Sequence, residues 1–353
     1  EHIESLLDQV YEVVDLSKLP EAAQTAQVEA LASQVQAEMN LSRGPLIKVI
    51  VFNFSGTKAS RMFVVVHHLV IDVFSWRVIL EDLQTALGQC IAGDSVELGD
   101  KTTSFQQWGE ALQGFAQSEQ VAIDAEYWRS KRLVSTAEIP KDSNGLNTVA
   151  SVETVELALT VDETKQLLTQ APQCYRTEIN ELLLTAFGQT ISDWADTENI
   201  LVDLEGHGRE PISDSVDISR TVGWFTSIFP LILNEIGSLE LSDRIKSVKE
   251  QLRAMPRKGL GYGVLRYLSD DAELSDDLRM LPSAQMSFNY LGQLDQVLDE
   301  GALLTQSDES VGEEISEASA RGYLLEVSGR IQGGVLLMTW RYSTAIHQSK
   351  TIQ

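Results

Sequence analysis

The sequence predicts a mixed α/β protein that folds as two halves. The chain has 353 residues, whereas single hydrophobic cores rarely grow beyond ~250–300 residues. Apolar runs of strand length alternate with segments whose apolar residues recur at helical spacing. A cluster of turn-favouring residues interrupts the alternation, namely Pro140, Asp142, Ser143, Asn144 and Gly145. We therefore expect a linker at residues 136–145 between an N-terminal half at 1–135 and a C-terminal half at 146–353.

The first half is predicted to place two neighbouring strands among several helices. A helix is expected over residues 21–39, because apolar side chains recur there at intervals of three and four. Two strands follow at Leu46–Phe54 and Arg61–His67. The next helix begins after Ser75, which we interpret as its N-cap. Two polar helices complete this half, near Ser104–Phe115 and near Ala125–Lys131.

The second half is predicted to combine strands with an amphipathic helix. That helix spans residues 179–194, where large apolar residues repeat on one face. We expect strands at Val152–Leu159, Ile200–Leu204, Ser227–Leu233, Ala284–Tyr290, Tyr323–Arg330 and Val335–Tyr342. The stretch Leu298–Ala320 is acidic and contains Ser and Gly, so we interpret it as a solvated loop.

Charge and composition exclude several classes of partner. The chain carries 52 Asp and Glu against 27 Lys and Arg, a net charge of -25. Such a field repels nucleic-acid backbones and anionic membrane surfaces, so we expect neither as a partner. No apolar run approaches the ~18 residues that a membrane span needs. The two cysteines, Cys90 and Cys174, form no motif, which favours a reducing, cytoplasmic location.

Two adjacent histidines are the first candidates for chemistry. His67 and His68 follow an apolar strand and precede Asp72 and a helix. Neighbouring residues of a strand face opposite sides, so one imidazole could face a cleft while the other packs behind it. Histidine suits proton transfer because its unperturbed pKa is near ~6.5. The alternative is a pair of core histidines without a chemical role.

A metal site is the second interpretation of these histidines. His67, His68, Asp72 and His207 are residue types that bind metal ions. Their spacing matches no known metal-binding pattern, and no cysteine lies near them. We therefore expect no metal.

Three further segments place polar residues beside predicted strands. Glu205 follows an apolar strand and is followed by Gly206 and Gly208, which allow tight turns and close approach to a ligand. Arg220 precedes the strand at Ser227–Leu233 and could bind Asp72, a glutamate or a phosphate. Asn289 and Tyr290 end a strand with two hydrogen-bonding side chains. Ordinary surface turns and surface charges are the alternative for each segment.

Taken together, these segments resemble the condensation superfamily of non-ribosomal peptide synthetases, and in particular its epimerization branch. The H-H-x-x-x-D-G pattern of the family is matched from His67 to Asp72, although Val73 replaces its glycine. The other matches are Ser75-Trp76-Arg77, E-G-H-G-R-E at Glu205–Glu210, R-T-V-G-W-F-T at Arg220–Thr226, K-G-x-G-Y-G at Lys258–Gly263 and F-N-Y-L-G at Phe288–Gly292. The glutamate segment separates the epimerization branch from the condensation branch. The family's leading segment and last helix are missing, so we interpret the chain as part of a larger protein.

The resemblance implies a fold, a set of site residues and an activity. The family fold is a V-shaped pseudo-dimer of two chloramphenicol-acetyltransferase-like halves with a tunnel between them. His68 and Glu205 would face each other across that tunnel as catalytic residues. Motif positions also place Tyr290 near the site as a catalytic residue. The remaining positions bind substrate or support the site, namely His67, Asp72, Asn289 and Arg220.

The implied activity is inversion of the Cα of an aminoacyl or peptidyl thioester, from L to D. The substrate would arrive on the 4′-phosphopantetheine of a peptidyl carrier domain, beside adenylation and condensation domains, and the domain itself would bind no cofactor. Two other functions stay open. A condensation-type acyltransferase would use His68 as a base, and a non-catalytic carrier-docking module would account for Val73.

Overall fold

The computed structural model describes residues 7, 9–131, 136–293, 303–307 and 309–353. Within these residues strands and helices alternate, which confirms the mixed α/β prediction. The chain divides into two compact units. The first comprises Glu1–Lys101, Arg220–Trp224 and Leu298–Ser316, and the second comprises Thr102–Ser219, Phe225–Val297 and Glu317–Gln353. No helix in the described part of the chain is both long enough and apolar enough to cross a bilayer.

The first unit contains a three-stranded sheet with a helix packed on it. Its elements are β1 (Tyr11–Asp15), α1 (Glu21–Glu38), β2 (Ile47–Asn53), β3 (Arg61–Val66) and α2 (Val73–Ala92). Strand β2 is central, parallel to β1 and antiparallel to β3. Val28 of α1 packs with Ile50 and Phe52 of β2 in a small core. The predicted helix at 21–39 and both predicted strands are confirmed, while β1 was not predicted.

The start of α2 corrects one prediction. Ser75 is not the N-cap; Asp72 takes this position, and its Oδ1 accepts a hydrogen bond from the Ser75 backbone N–H at 2.7 Å. Aspartate is as good a cap as serine, and the carboxylate of Asp72 reaches the Ser75 N–H in the first turn of the helix. The helix therefore begins at Val73, immediately after the histidine segment.

The second unit contains a six-stranded sheet and most of the helices. Its elements are α3 (Phe105–Ala116), α4 (Ala122–Ser130), β4 (Val152–Ala158), α5 (Val161–Tyr175), α6 (Ile179–Ala195), β5 (Ile200–Gly206), β6 (Ser227–Leu233), α7 (Leu241–Arg253), α8 (Leu260–Leu268), α9 (Ala272–Arg279), β7 (Met286–Gln293), β8 (Leu325–Gln332), β9 (Val335–Ser343) and α10 (Ser349–Ile352). The strand order is β4-β9-β8-β7-β5-β6. Strand β7 is parallel to both of its neighbours, and the other pairs are antiparallel.

One face of this sheet carries the main core. Val202 and Leu204 of β5 are buried in it together with Phe187 of α6. Because side chains alternate along a strand, Asp203 and Glu205 lie on the opposite face of β5. Alternation thus separates the packing residues of β5 from its polar ones.

The predicted linker lies inside the second unit and is packed. Ile139 is buried, and the backbone N–H groups of Asp142 and Ser143 both donate to the carbonyl of Ile346, at 3.1 and 3.0 Å. A division into two halves at residues 136–145 stays a prediction.

The acidic segment Leu298–Ala320 is only partly a solvated loop. Its described residues form no helix and only a single bridge of sheet pairing. Glu309 binds Arg61 of β3 at 2.8 Å and Lys58 at 3.6 Å. Opposite charges on the first unit therefore hold part of this segment.

Candidate active site

The two histidines lie in a turn and not in a strand. Strand β3 ends at Val66, and His67 caps a short 3₁₀ helix that runs from His68 to Val70. The Nδ1 atom of His67 accepts a hydrogen bond from the backbone N–H of Leu69 at 3.2 Å. This fits a neutral imidazole with its proton on Nε2. His67 is thus hydrogen-bonded within its own turn.

His68 has a different environment. Its side chain is exposed, and its ring contacts Trp224 edge to face, with 5.3 Å between the ring centroids. The prediction that strand alternation separates the two imidazoles was wrong, because a turn separates them instead. Trp224 was missed as a neighbour of His68, although it lies within the motif R-T-V-G-W-F-T.

Residues 220–224 are attached to helix α2 at two points. Arg220 binds Glu81 at 3.0 Å and also pairs with Asp82. The hydroxyl of Ser75 donates to the Gly223 carbonyl at 3.0 Å and accepts from the Gly223 N–H at 3.1 Å. Of the partners predicted for Arg220, the structure supplies a glutamate. These contacts hold the segment that ends in Trp224.

Asp72 and Val73 connect the histidine turn to α2. Asp72 is 4 % exposed and caps the helix, which fits the structural role that the resemblance implies. Val73 is the first residue of the helix, has the negative φ of a helical residue, and is 60 % exposed. Valine is thus accommodated without backbone strain.

Glu205 is the next-to-last residue of β5 and lies between two neighbouring strands. The β5–β7 pairing places Asn289 beside it, and the Nδ2 amide of Asn289 donates to Glu205 Oε2 at 2.6 Å. On the other side, Ile228 of β6 is the register partner of Glu205 and is 44 % exposed. The carboxylate is therefore oriented by an amide donor on an accessible face of the sheet.

Tyr290 does not join this group. Alternation along β7 turns it to the face opposite Asn289, where it packs against the main core. Burial raises the pKa of its phenol. The structure thus brings only Asn289 of this predicted pair to Glu205.

An unpredicted pair, Asp203 and Tyr323, lies on the Glu205 face of β5. The phenol of Tyr323 donates to Asp203 Oδ2 at 2.9 Å. Burial raises the pKa of Asp203. Burial, followed by the charges of Asp203 and Glu205, raises the pKa of Tyr323. Tyr323 is therefore a protonated phenol close to Glu205. Asp203 within the otherwise apolar run Ile200–Leu204 was the signal available in the sequence.

Residues of the loop after Glu205 contact one another and residues farther along the chain. Gly208 has a φ of 66°, and a methyl group there would lie 1.6 Å from the Phe225 carbonyl oxygen. The Nη1 of Arg209 donates to the Ile218 carbonyl at 2.8 Å. His207 Nε2 lies 3.0 Å from Glu210. Across the described ranges, no three His, Cys, Asp or Glu side chains come close enough together to hold a metal ion.

Comparisons with known proteins agree with this architecture. The Condensation domain family model matches residues 3–353. The chain is 42 % identical over 343 residues to a subunit of the linear gramicidin synthase of Brevibacillus parabrevis, covering 97 % of this chain and 4 % of that protein. It is 36 % identical over 366 residues to tyrocidine synthase 1 of the same organism, covering all of this chain and 33 % of that protein. The chain thus spans a small part of these relatives.

Among solved structures, the chain is similar to the epimerization domain from the third module of tyrocidine synthetase B. The TM-score is 0.87 and the identity 35 %, over 97 % of this chain and 76 % of that one. The SgcC5 protein of Streptomyces globisporus shares the fold, with a TM-score of 0.66 at 16 % identity over 97 % of this chain and 77 % of that one. The chain belongs to the condensation-domain superfamily of non-ribosomal peptide synthetases.

Proposed function

We propose that the chain inverts the Cα of an aminoacyl or peptidyl thioester bound to a carrier protein. The observation that carries the proposal is Glu205, an accessible carboxylate at a strand end that Asn289 holds at 2.6 Å. The condensation branch is not expected to carry the E-G-H-G-R-E segment that contains it. Similarity to a solved epimerization domain at 35 % identity supports the same conclusion.

The chemistry requires two proton carriers. A Cα proton beside a thioester is weakly acidic, and inversion needs its removal from one face of the carbon and a proton's return to the other. Glu205 is one carrier and His68 is the other, since both side chains are accessible and both residue types serve as general acids and bases.

The enolate that forms between the two transfers places negative charge on the thioester oxygen. Preorganised hydrogen-bond donors stabilise such charge. The resemblance to the epimerization branch offers the protonated form of His68 or Tyr290 as the donor. Tyr290 packs against the core, which does not favour it as this donor, and His68 is already assigned as a proton carrier.

The substrate is proposed to arrive on the 4′-phosphopantetheine arm of a peptidyl carrier domain. The relatives are much longer than this chain, which covers 4 % of the linear gramicidin synthase subunit and 33 % of tyrocidine synthase 1. Adenylation and condensation domains are the proposed neighbours in the same assembly.

The direct test is chiral analysis of the residue released from a loaded carrier. A carrier loaded with an L-aminoacyl group is incubated with the protein in D₂O, the thioester is hydrolysed, and both enantiomers are quantified. We expect D-residue that contains deuterium at Cα. Peptide-bond formation between two loaded carriers would instead indicate condensation. Carrier binding without inversion or exchange would indicate a docking module.

Val73→Gly separates an active domain from an inactive docking module. Val73 is exposed and adopts ordinary helical geometry, so we expect the rate of Cα exchange to change less than about threefold. Glycine in a helix costs roughly 0.5–1 kcal/mol of stability, which a shift of the urea midpoint will report. An inactive parent restored by glycine would contradict this prediction.

A further inference from the structure

A turn before helix α8 has an unusual backbone. Arg257 has φ 44° and ψ 38°, and Lys258 has φ 46° and ψ 37°. Gly259 follows with φ 87°. The left-handed region is uncommon for residues other than glycine, and such strain persists only where the surroundings enforce it. Two strained residues in succession therefore indicate a conformation that the protein holds for a reason.

A buried ion pair enforces this turn. The guanidinium of Arg257 pairs with the carboxylate of Asp124 on α4. Asp124 is fully buried. The same guanidinium lies over the ring of Phe115, 4.8 Å from its centroid. Burial raises the pKa of Asp124, although the charge of Arg257 opposes this. A buried ion pair stabilises a fold little more than apolar residues of similar size would, whereas removal of one partner is strongly destabilising because the other charge stays buried.

The turn lies close to the Glu205–Glu210 segment at two points, and at the first of them Ser227 and Phe229 also border Gly206. A methyl group on Gly206 would lie 3.3 Å from the carbonyl oxygen of Lys258. The Nζ of Lys258 lies 3.3 Å from Glu210 Oε1, and that oxygen also contacts His207. The first of these points lies directly after Glu205, and the second lies at the far end of its loop.

We propose that Asp124 and Arg257 are positioning residues for Glu205. They hold the turn at 257–259, and the turn fixes the end of β5 from which Glu205 projects. The inference rests on the proposed function of Glu205 as a proton carrier. Small displacements of a reacting group, about 1 Å, can cost ~10²-fold in rate, so a rigid backbone support is valuable at this place.

Arg257→Gly tests the proposal, because glycine accepts the left-handed backbone while the anchor is lost. We expect backbone amide exchange near residues 203–208 to become at least about tenfold faster, with β8 and β9 unchanged. We also expect kcat for Cα inversion to fall ~10–100-fold with KM changed less than threefold. Loss of Arg257 leaves the carboxylate of Asp124 buried and unpaired. The double variant with Asp124→Asn and Arg257→Gly removes this charge, and it takes the place of the single variant if the single variant does not fold.

Asp196→Gly is the matched control, since Asp196 has φ 48° at the exposed end of α6. It should leave both measurements as in the parent. Wild-type amide protection and kcat in folded Arg257→Gly would overturn the proposal. Protection lost equally in β8 and β9 would show a purely structural role and would also overturn it. A parent that inverts no substrate would contradict only the proposed function, because amide exchange still tests the support.

Discussion

Replacing Glu205 with glutamine is expected to lower the rate of Cα inversion by ~10²–10⁴-fold, the usual contribution of a general acid or base. Glutamine keeps the shape of the side chain, and its carbonyl oxygen can still accept from Asn289, which donates to Glu205 Oε2 at 2.6 Å. The substitution therefore removes the negative charge and the ability to carry a proton while keeping this hydrogen bond. Chiral analysis of the hydrolysed residue measures the rate, and carrier affinity is measured in parallel.

Glu156→Gln is the matched control for this variant. Glu156 is an exposed carboxylate on β4 of the same sheet, where it pairs with Arg330 at 3.3 Å. We expect inversion and carrier binding to stay at parent values. Near-normal inversion by Glu205→Gln would refute the assignment of Glu205, whereas loss of carrier binding would show that the substitution perturbs docking.

Replacing His68 with glutamine is expected to have an effect of the same size on inversion, ~10²–10⁴-fold. His68 is exposed and contacts Trp224 only edge to face, so the free energy of unfolding should change by about 0.5 kcal/mol or less. Inversion is measured by chiral analysis, and stability by urea denaturation. A fall in activity that matches a fall in folded fraction would contradict a chemical role.

The two variants also make a joint prediction about deuterium. With one proton carrier left, a substrate can lose its proton to that carrier and regain deuterium on the same face. Glu205→Gln and His68→Gln should therefore each retain exchange without inversion, and for opposite enantiomers. Residual exchange of the same enantiomer in both variants would show that the two residues do not act as separate carriers.

Local patterns in the sequence predicted most elements but not their partners. The run from Ile200 predicted β5, and its polar end predicted Glu205 as a candidate. The contact between Glu205 and Asn289 depends on β7 lying beside β5, and strand order is not encoded in either segment alone. The Asp203–Tyr323 pair was missed for the same reason.

Three further differences between the predicted and the observed elements have local causes. Asp72 and Ser75 are both good caps, and the reach of one carboxylate to the Ser75 N–H decided between them. Helix α5 was not predicted, although Thr160 and Glu163 form the reciprocal capping pair that marks a helix start. Strand β1 has five residues that are mostly exposed, so no alternation of buried residues revealed it.

Each of the two units is built from segments that lie far apart along the chain. The position of the last segment determines when each unit can be completed during synthesis on the ribosome. Ser75 and Arg61 of the first unit bind Gly223 and Glu309, which emerge long after α2. In the second unit β9 lies between β4 and β8, so the sheet stays open until residues 335–343 have been made. Distant contacts form slowly, and open strand edges favour misassociation. We expect a nascent chain to need protection of its open sheet until β9 has left the ribosome.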